Sequence, residues 1–150
     1  ANNSDRNSAA CTNYAYESSK SIFYFSLGSI VYPLLEILWR GHSHWSMSIA
    51  GGLCFLCICI VNRFFQKRGL CLKCLCCALS ITIIEFVIGC MVNLMWDMHV
   101  WDYSALPFNV LGQICLPFFA VWFALSIPAL KLGSLIDKLF DALPFHLRKN

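Results

Sequence analysis

Ala78–Trp96 reads ALSITIIEFVIGCMVNLMW, one apolar run with a single carboxylic acid, Glu85, inside it. The next residues, Asp97 to Asn109, read DMHVWDYSALPFN and turn abruptly polar and aromatic. A run of this length matches the ~20 apolar residues that a helix needs to cross a bilayer. An acid within it is costly to keep in lipid and marks a functional site by default.

The rest of the chain fits that reading. Of its 150 residues, 59% are hydrophobic and 13% charged, and the mean hydropathy is +0.65. A water-soluble domain carries about 25% charged residues. This chain lacks the polar groups to coat a globule, so an integral membrane protein is expected. Besides Ala78–Trp96, extended by Leu75, three more runs are long enough: Ser21–Trp39, Trp45–Val61 and Val110–Leu130. None alternates polar and apolar residues as barrel strands do, so helices remain. The fold expected is all-α, a polytopic four-helix transmembrane bundle over residues 21–130. Its spans are about 21–39, 45–61, 75–96 and 110–130.

Residues 1–20 read as a polar tail without the basic start and apolar stretch of a secretory leader. Residues 131–150 read as a cytoplasmic amphipathic tail. Leu132, Leu135, Ile136, Leu139, Phe140 and Leu143 recur at helical spacing, which predicts an interfacial helix beside Lys131 and Lys138, ended by Pro144. Pro33, Pro117 and Pro128 fall within spans and are expected to kink them.

Basic residues flank the spans unevenly. Arg6 and Lys20, then Arg63, Lys67, Arg68 and Lys73, then Lys131, Lys138, Arg148 and Lys149 share one side of a four-span protein. Arg40 alone lies on the other. The positive side faces the cytosol, so a cell-membrane, multi-pass protein with both termini cytoplasmic is expected. Because the basic residues flank apolar spans, the net charge of +3 argues neither for nor against nucleic acid, and no nucleic-acid partner is expected. Trp39, Trp45, Trp96, Trp101 and Tyr103 gather at the opposite, outer boundary, where such rings anchor a span.

Ten cysteines are present. Most lie within apolar runs, where a free thiol packs as a small hydrophobe. Cys71, Cys74, Cys76 and Cys77 follow an inner loop without a second C-x-x-C or a nearby histidine. His42, His44, His99, Asp97 and Asp102 lie in the outer loops at no recognised metal spacing. Neither a nucleotide-binding glycine loop nor a Ser-His-Asp set is present. No cofactor is expected, and any ATP hydrolysis must come from a partner subunit.

Glu85, Gly89 and Asn93 fall one helical turn apart on one face. Gly89 offers close approach to another helix, and Asn93 a hydrogen bond across that contact. Glu85 is then either a proton- or cation-responsive carboxylate or a protonated acid that joins helices. Glu36 and Arg40 stand in the favourable i, i+4 order for an ion pair; the other reading of Arg40 is an outward clamp for anions.

The stretch from Trp101 to Asn109, then Gly112 to Leu116, then Trp122, resembles the bacterial family called putative ABC-transporter type IV. So do Glu36 to Met47 with Gly51 and Gly52, and Glu85 to Asn93. The resemblance covers about residues 21–130. It implies a small multipass permease component that works as a homo-oligomer or with another membrane or ATP-binding subunit. It also implies that the distinctive residues gather at the outer mouth, where the 97–109 loop folds back between the helices as a plug. The candidates for a substrate or ion pathway are Glu36, Arg40, His44, Glu85, Asn93, Asp102, Tyr103, Asn109 and Gln113. The alternatives are a non-transporting membrane module that binds a protein or lipid and, behind it, a membrane-embedded enzyme built on His44, Asp102 and Glu85.

Overall fold

The computed structural model describes residues 3–142, with side chains described from residue 13 onward. Four long helices carry the fold: α1 (Asn3–Arg40), α2 (Trp45–Phe64), α3 (Leu70–Gly89) and α4 (Leu116–Ala142). A π-helical turn, Cys90–Met95, continues α3. A two-residue antiparallel pair, β1 (Asn109–Val110) with β2 (Ile114–Cys115), precedes α4. All four helices are long and apolar enough to cross a membrane. Their outward faces are apolar too: Leu38, Ile60, Ile83 and Leu139 are all exposed. Such a belt has no stable partner in water and a natural one in lipid.

The ends of α1 and α2 follow from local chemistry. Gly41 sits at φ +78°, a left-handed position natural for glycine, and its N–H bonds the Ile37 carbonyl at 2.8 Å, which closes α1. His44 then caps α2 by accepting from the Ser46 N–H. α1 and α2 form the most extensive helix pair. Small residues allow it. A Cβ on Gly28 would strike the Gly51 carbonyl, and one on Gly51 would strike the Tyr32 Cβ. Close backbone approach over small residues is how helices associate in lipid, where no hydrophobic drive acts between them.

α3 buries one stripe: Cys74, Cys77, Ala78, Ile81, Glu85 and Gly89. That spacing is the three-to-four-residue repeat of a helix face. Glu85 therefore occupies a core position, in line with thiols and alkyl groups. The core joins Tyr24, Phe55, Ile58 and Leu130 to the buried cysteines Cys54, Cys59, Cys74 and Cys77. All nine described cysteines are free.

Three boundaries differ from the sequence reading. α1 is helical from Asn3, through the segment read as a polar tail. The fourth helix starts at Leu116, not Val110, because residues 109–115 are taken by the strand pair and by Gly112 at φ +68°. Pro117 consequently sits in the first turn of α4, where its missing N–H costs nothing; Pro33 and Pro128 lie inside helices. Residues 131–142 run on from the fourth span without a break. Gly133 and Ile136 pack inward there, while Leu132, Leu135 and Leu139 stay exposed. Pro144, Arg148 and Lys149 lie outside the described residues.

Candidate functional site: a capped, acid-centred bundle

Polar residues gather at three levels of the bundle. The first is a cap at the end where α1 meets α2. The π-helical turn aims Asn93 inward, and its amide is fully used. Asn93 Oδ1 accepts the Val100 N–H at 2.7 Å, while Nδ2 donates to the Trp101 carbonyl at 3.0 Å and to Gln113 Oε1 at 2.7 Å. Gln113 Nε2 donates to the Leu111 carbonyl, and the Trp101 indole donates to the Gln113 carbonyl. Trp101, Asn93 and Gln113 are all buried. The 97–115 loop is thus folded onto the helix ends as a plug.

Gly89 makes room for that plug rather than for a helix. Its nearest neighbours are Gln113 and Trp101 of the loop. Tyr103 stacks on Phe118 of α4 at 4.5 Å between ring centres. Asn109 ties the turn by donating to the Ser104 and Leu106 carbonyls and accepting from the Gly112 N–H. Asp102 accepts from the Ser104 hydroxyl and N–H. Those donors hold its exposed carboxyl below the usual carboxylate range, the hydroxyl contributing most. Asp97, His99, Phe108 and Leu111 all have left-handed backbone, a costly geometry for residues other than glycine.

Arg40 turns into the cap. It pairs with Glu36 and donates to the Val100 carbonyl at 3.2 Å; Glu36 also accepts from the Ser43 hydroxyl at 2.5 Å. Its Nε is buried without a hydrogen-bond partner. His44 is engaged with Ser46 and packs on Trp45. Among the described residues, no group of three His, Cys, Asp or Glu side chains is placed to hold a metal. His44, Asp102 and Glu85 belong to three separate networks, which no described hydrogen bond joins.

The second level is Glu85, 3% exposed. The Trp122 indole N–H donates to its Oε2 at 2.7 Å, and the Tyr32 phenol donates to its Oε1 at 3.2 Å. The two rings stack at 5.7 Å. α1, α3 and α4 therefore converge on one carboxyl. None of the described ion pairs includes Glu85. Its two donors, Tyr32 and Trp122, border an apolar groove of about 240 Å³ between α1 and α4, floored by α2 residues such as Cys54 and Phe55; Glu85 lies behind them and does not line it.

The third level, at the opposite end, escapes a reading of the sequence. Lys20, 2% exposed, pairs with Asp137 at 2.7 Å, and the Tyr24 phenol donates to the same oxygen at 2.6 Å. Arg63 forms a two-pronged bond to Glu17 and lies 3.7 Å from Asp137. Asn62 joins Ser134 to Lys73. α1, α2, α3 and α4 are thereby tied together beside a polar cavity of about 290 Å³. Its only sequence signal is that Asp137 shares a helix face with Ser134 and Asp141, while Lys20 and Arg63 stand at the ends of two other spans.

Four helices long and apolar enough to span a membrane, with charged groups gathered at a cap, at one buried acid and at an ion-paired end, define a multi-pass membrane protein. The family model described as "Putative ABC-transporter type IV" matches residues 23–149, and the chain belongs to that family. No curated protein and no solved structure matches it.

Proposed function

We propose that this chain is the membrane-spanning component of a transporter, acting as a homo-oligomer or beside another membrane or ATP-binding subunit. Glu85 is its coupling acid. The observation that carries this reading is a buried carboxyl held by two neutral donors at the meeting of three helices, with no basic partner among the described residues and a groove bordered by those two donors. An acid without a counter-ion in lipid is a poor structural element, because desolvation is uncompensated. It suits a group that meets a mobile cation. The ten-to-one distribution of basic residues supports a cytosolic ion-paired end and an outward cap. Glu36, Arg40, His44, Asn93, Asp102, Tyr103, Asn109 and Gln113 then line or brace the outer mouth. The chain carries no nucleotide loop, so energy from ATP would enter through a partner.

The test is solute uptake or efflux in vesicles holding the purified chain with whatever subunits co-purify with it. Wild type is expected to move solute and Glu85→Gln to lose most of that flux. Equal flux in both removes Glu85 from the mechanism, and no flux in either removes transport.

One observation favours a second reading, a non-transporting module that binds a protein or lipid. The loop's polar side chains are engaged within the cap: Asn93, Gln113, Asn109 and Asp102 all bond to one another or to backbone of the loop. A stable co-purifying neighbour without flux would favour it.

A further inference from the structure

The groove beside Glu85 has a shape and a chemistry that together select a ligand class. α1 and α4 meet through side chains at two levels. One is the stacked Tyr32–Trp122 pair, and the other is the Lys20–Tyr24–Asp137 cluster with Tyr16 and Phe23 packed on Phe140. Between these levels the helices stand apart and leave the groove. Its walls are alkyl groups such as Leu27, Val31, Leu125 and Ala129. Val31 and Leu125 are exposed on the same flank, so the groove faces the acyl chains. A volume of about 240 Å³ is below the ~300–1,000 Å³ of closed small-molecule pockets. A ligand there keeps part of its body in the bilayer.

The polar groups bordering this apolar slot, Tyr32 and Trp122, both direct their hydrogens at Glu85. An anion would meet a carboxylate and no cation. A neutral acyl chain would fit the walls but offer nothing to the acid. A positive centre that displaces the Tyr32 phenol would reach the carboxylate behind it, in a low-dielectric setting and beside two aromatic rings. The Tyr32 bond is the longer of the two, at 3.2 Å, and is the one a ligand displaces more cheaply.

We propose that the α1–α4 groove binds a lipophilic organic cation that enters sideways from the bilayer, with its apolar body along the groove and its positive centre against Glu85, Tyr32 and Trp122. This names a substrate class for the transport reading and rests on it for turnover, but not for binding.

The test is equilibrium dialysis of radiolabelled tetraphenylphosphonium against the purified full-length chain in detergent, with unlabelled tetraphenylphosphonium and triphenylphosphine oxide as cationic and neutral competitors. Saturable binding is expected, displaced by the unlabelled cation and little affected by the neutral oxide. Glu85→Gln is expected to weaken it about tenfold or more, as loss of a desolvated charge contact implies. Glu85→Asp keeps the charge and is expected to retain most of the binding. Ala129→Trp fills the groove far from the acid and is expected to abolish binding, so the proposal stands or falls even if Glu85→Gln fails to fold. Absence of saturable binding by folded wild type overturns it, as does equal binding by folded Glu85→Gln or effective competition by triphenylphosphine oxide. Glu85-dependent flux of another solute without phosphonium binding overturns the substrate class and leaves the transport reading. Phosphonium binding without flux of any solute keeps the site and removes transport.

Discussion

Gly89 lies directly against the side chain of Gln113: a Cβ built on Gly89 would stand 2.6 Å from Gln113 Oε1 and 2.9 Å from Trp101 Cζ2. The missing side chain on α3 is what seats the loop. Gly89→Ala is expected to lift the cap and to cost about 1–3 kcal/mol, the range for forced overpacking. A lower thermal midpoint in detergent and faster chymotryptic cleavage within residues 97–112 would check it. An unchanged cleavage rate would mean that the loop is held elsewhere.

Asn93 is the hub of the same cap. Asn93→Ala removes three hydrogen bonds and leaves Gln113 Oε1, a buried residue's acceptor, without its Asn93 donor. Stranded buried polar groups cost about 1–3 kcal/mol each, so a loss of about 3 kcal/mol is expected. Chemical denaturation in detergent measures it, and a loss under about 1 kcal/mol would show that the cap is not cooperative with the bundle.

At the other end, Lys20 is buried and its closest partner is Asp137 at 2.7 Å. Removing one member of a buried pair costs more than removing both, because the survivor is left uncompensated. Asp137→Ala is expected to destabilise the chain by about 3 kcal/mol, and Lys20→Met added to it to restore part of that. A double-mutant cycle on thermal stability gives the coupling. Simple additivity of the two changes would sink the pairing.

Acid should loosen the outer loop locally. The Ser104 donors hold Asp102 below its ordinary 3.8. A depressed carboxyl contributes order above its unfolded value and loses it as pH falls through the folded one. The loop of wild type is therefore expected to open as pH drops below the ordinary carboxylate range, and that of Asp102→Asn to show no such step. Fluorescence of a dye attached at Ala105→Cys, in a background without other reactive thiols, reads the difference.

How far the sequence foretells this molecule depends on the range of the interaction. The four spans are legible because burial in lipid is a property of each segment alone. Glu85 is legible for the same reason, as an acid amid alkyl neighbours with Gly89 and Asn93 on its face. The start of α4 is not, since Val110–Leu116 is apolar enough for a helix and the bonds of Asn109, Trp101 and Gln113, with Gly112 at positive φ, turn it into a hairpin. Gly89 and Asn93 were legible as a contact, but the partner is a loop because Gln113 and Trp101 return from beyond the turn. The Lys20–Asp137 pairing joins residues over a hundred positions apart, and no local pattern encodes it. The Glu36–Arg40 ion pair is legible in its i, i+4 spacing, whereas the Val100 carbonyl that draws Arg40 into the cap is not.

Trp122 and Asp137 share α4, and Tyr32 and Lys20 share α1. Fifteen residues separate the first two, about 22 Å along a helix, with Pro128 between them. The buried acid and the distant salt-bridged cluster are consequently gripped by the same two rods. A roll or tilt of either rod must disturb both grips together, so the two ends of the molecule are geared to each other rather than free to act alone.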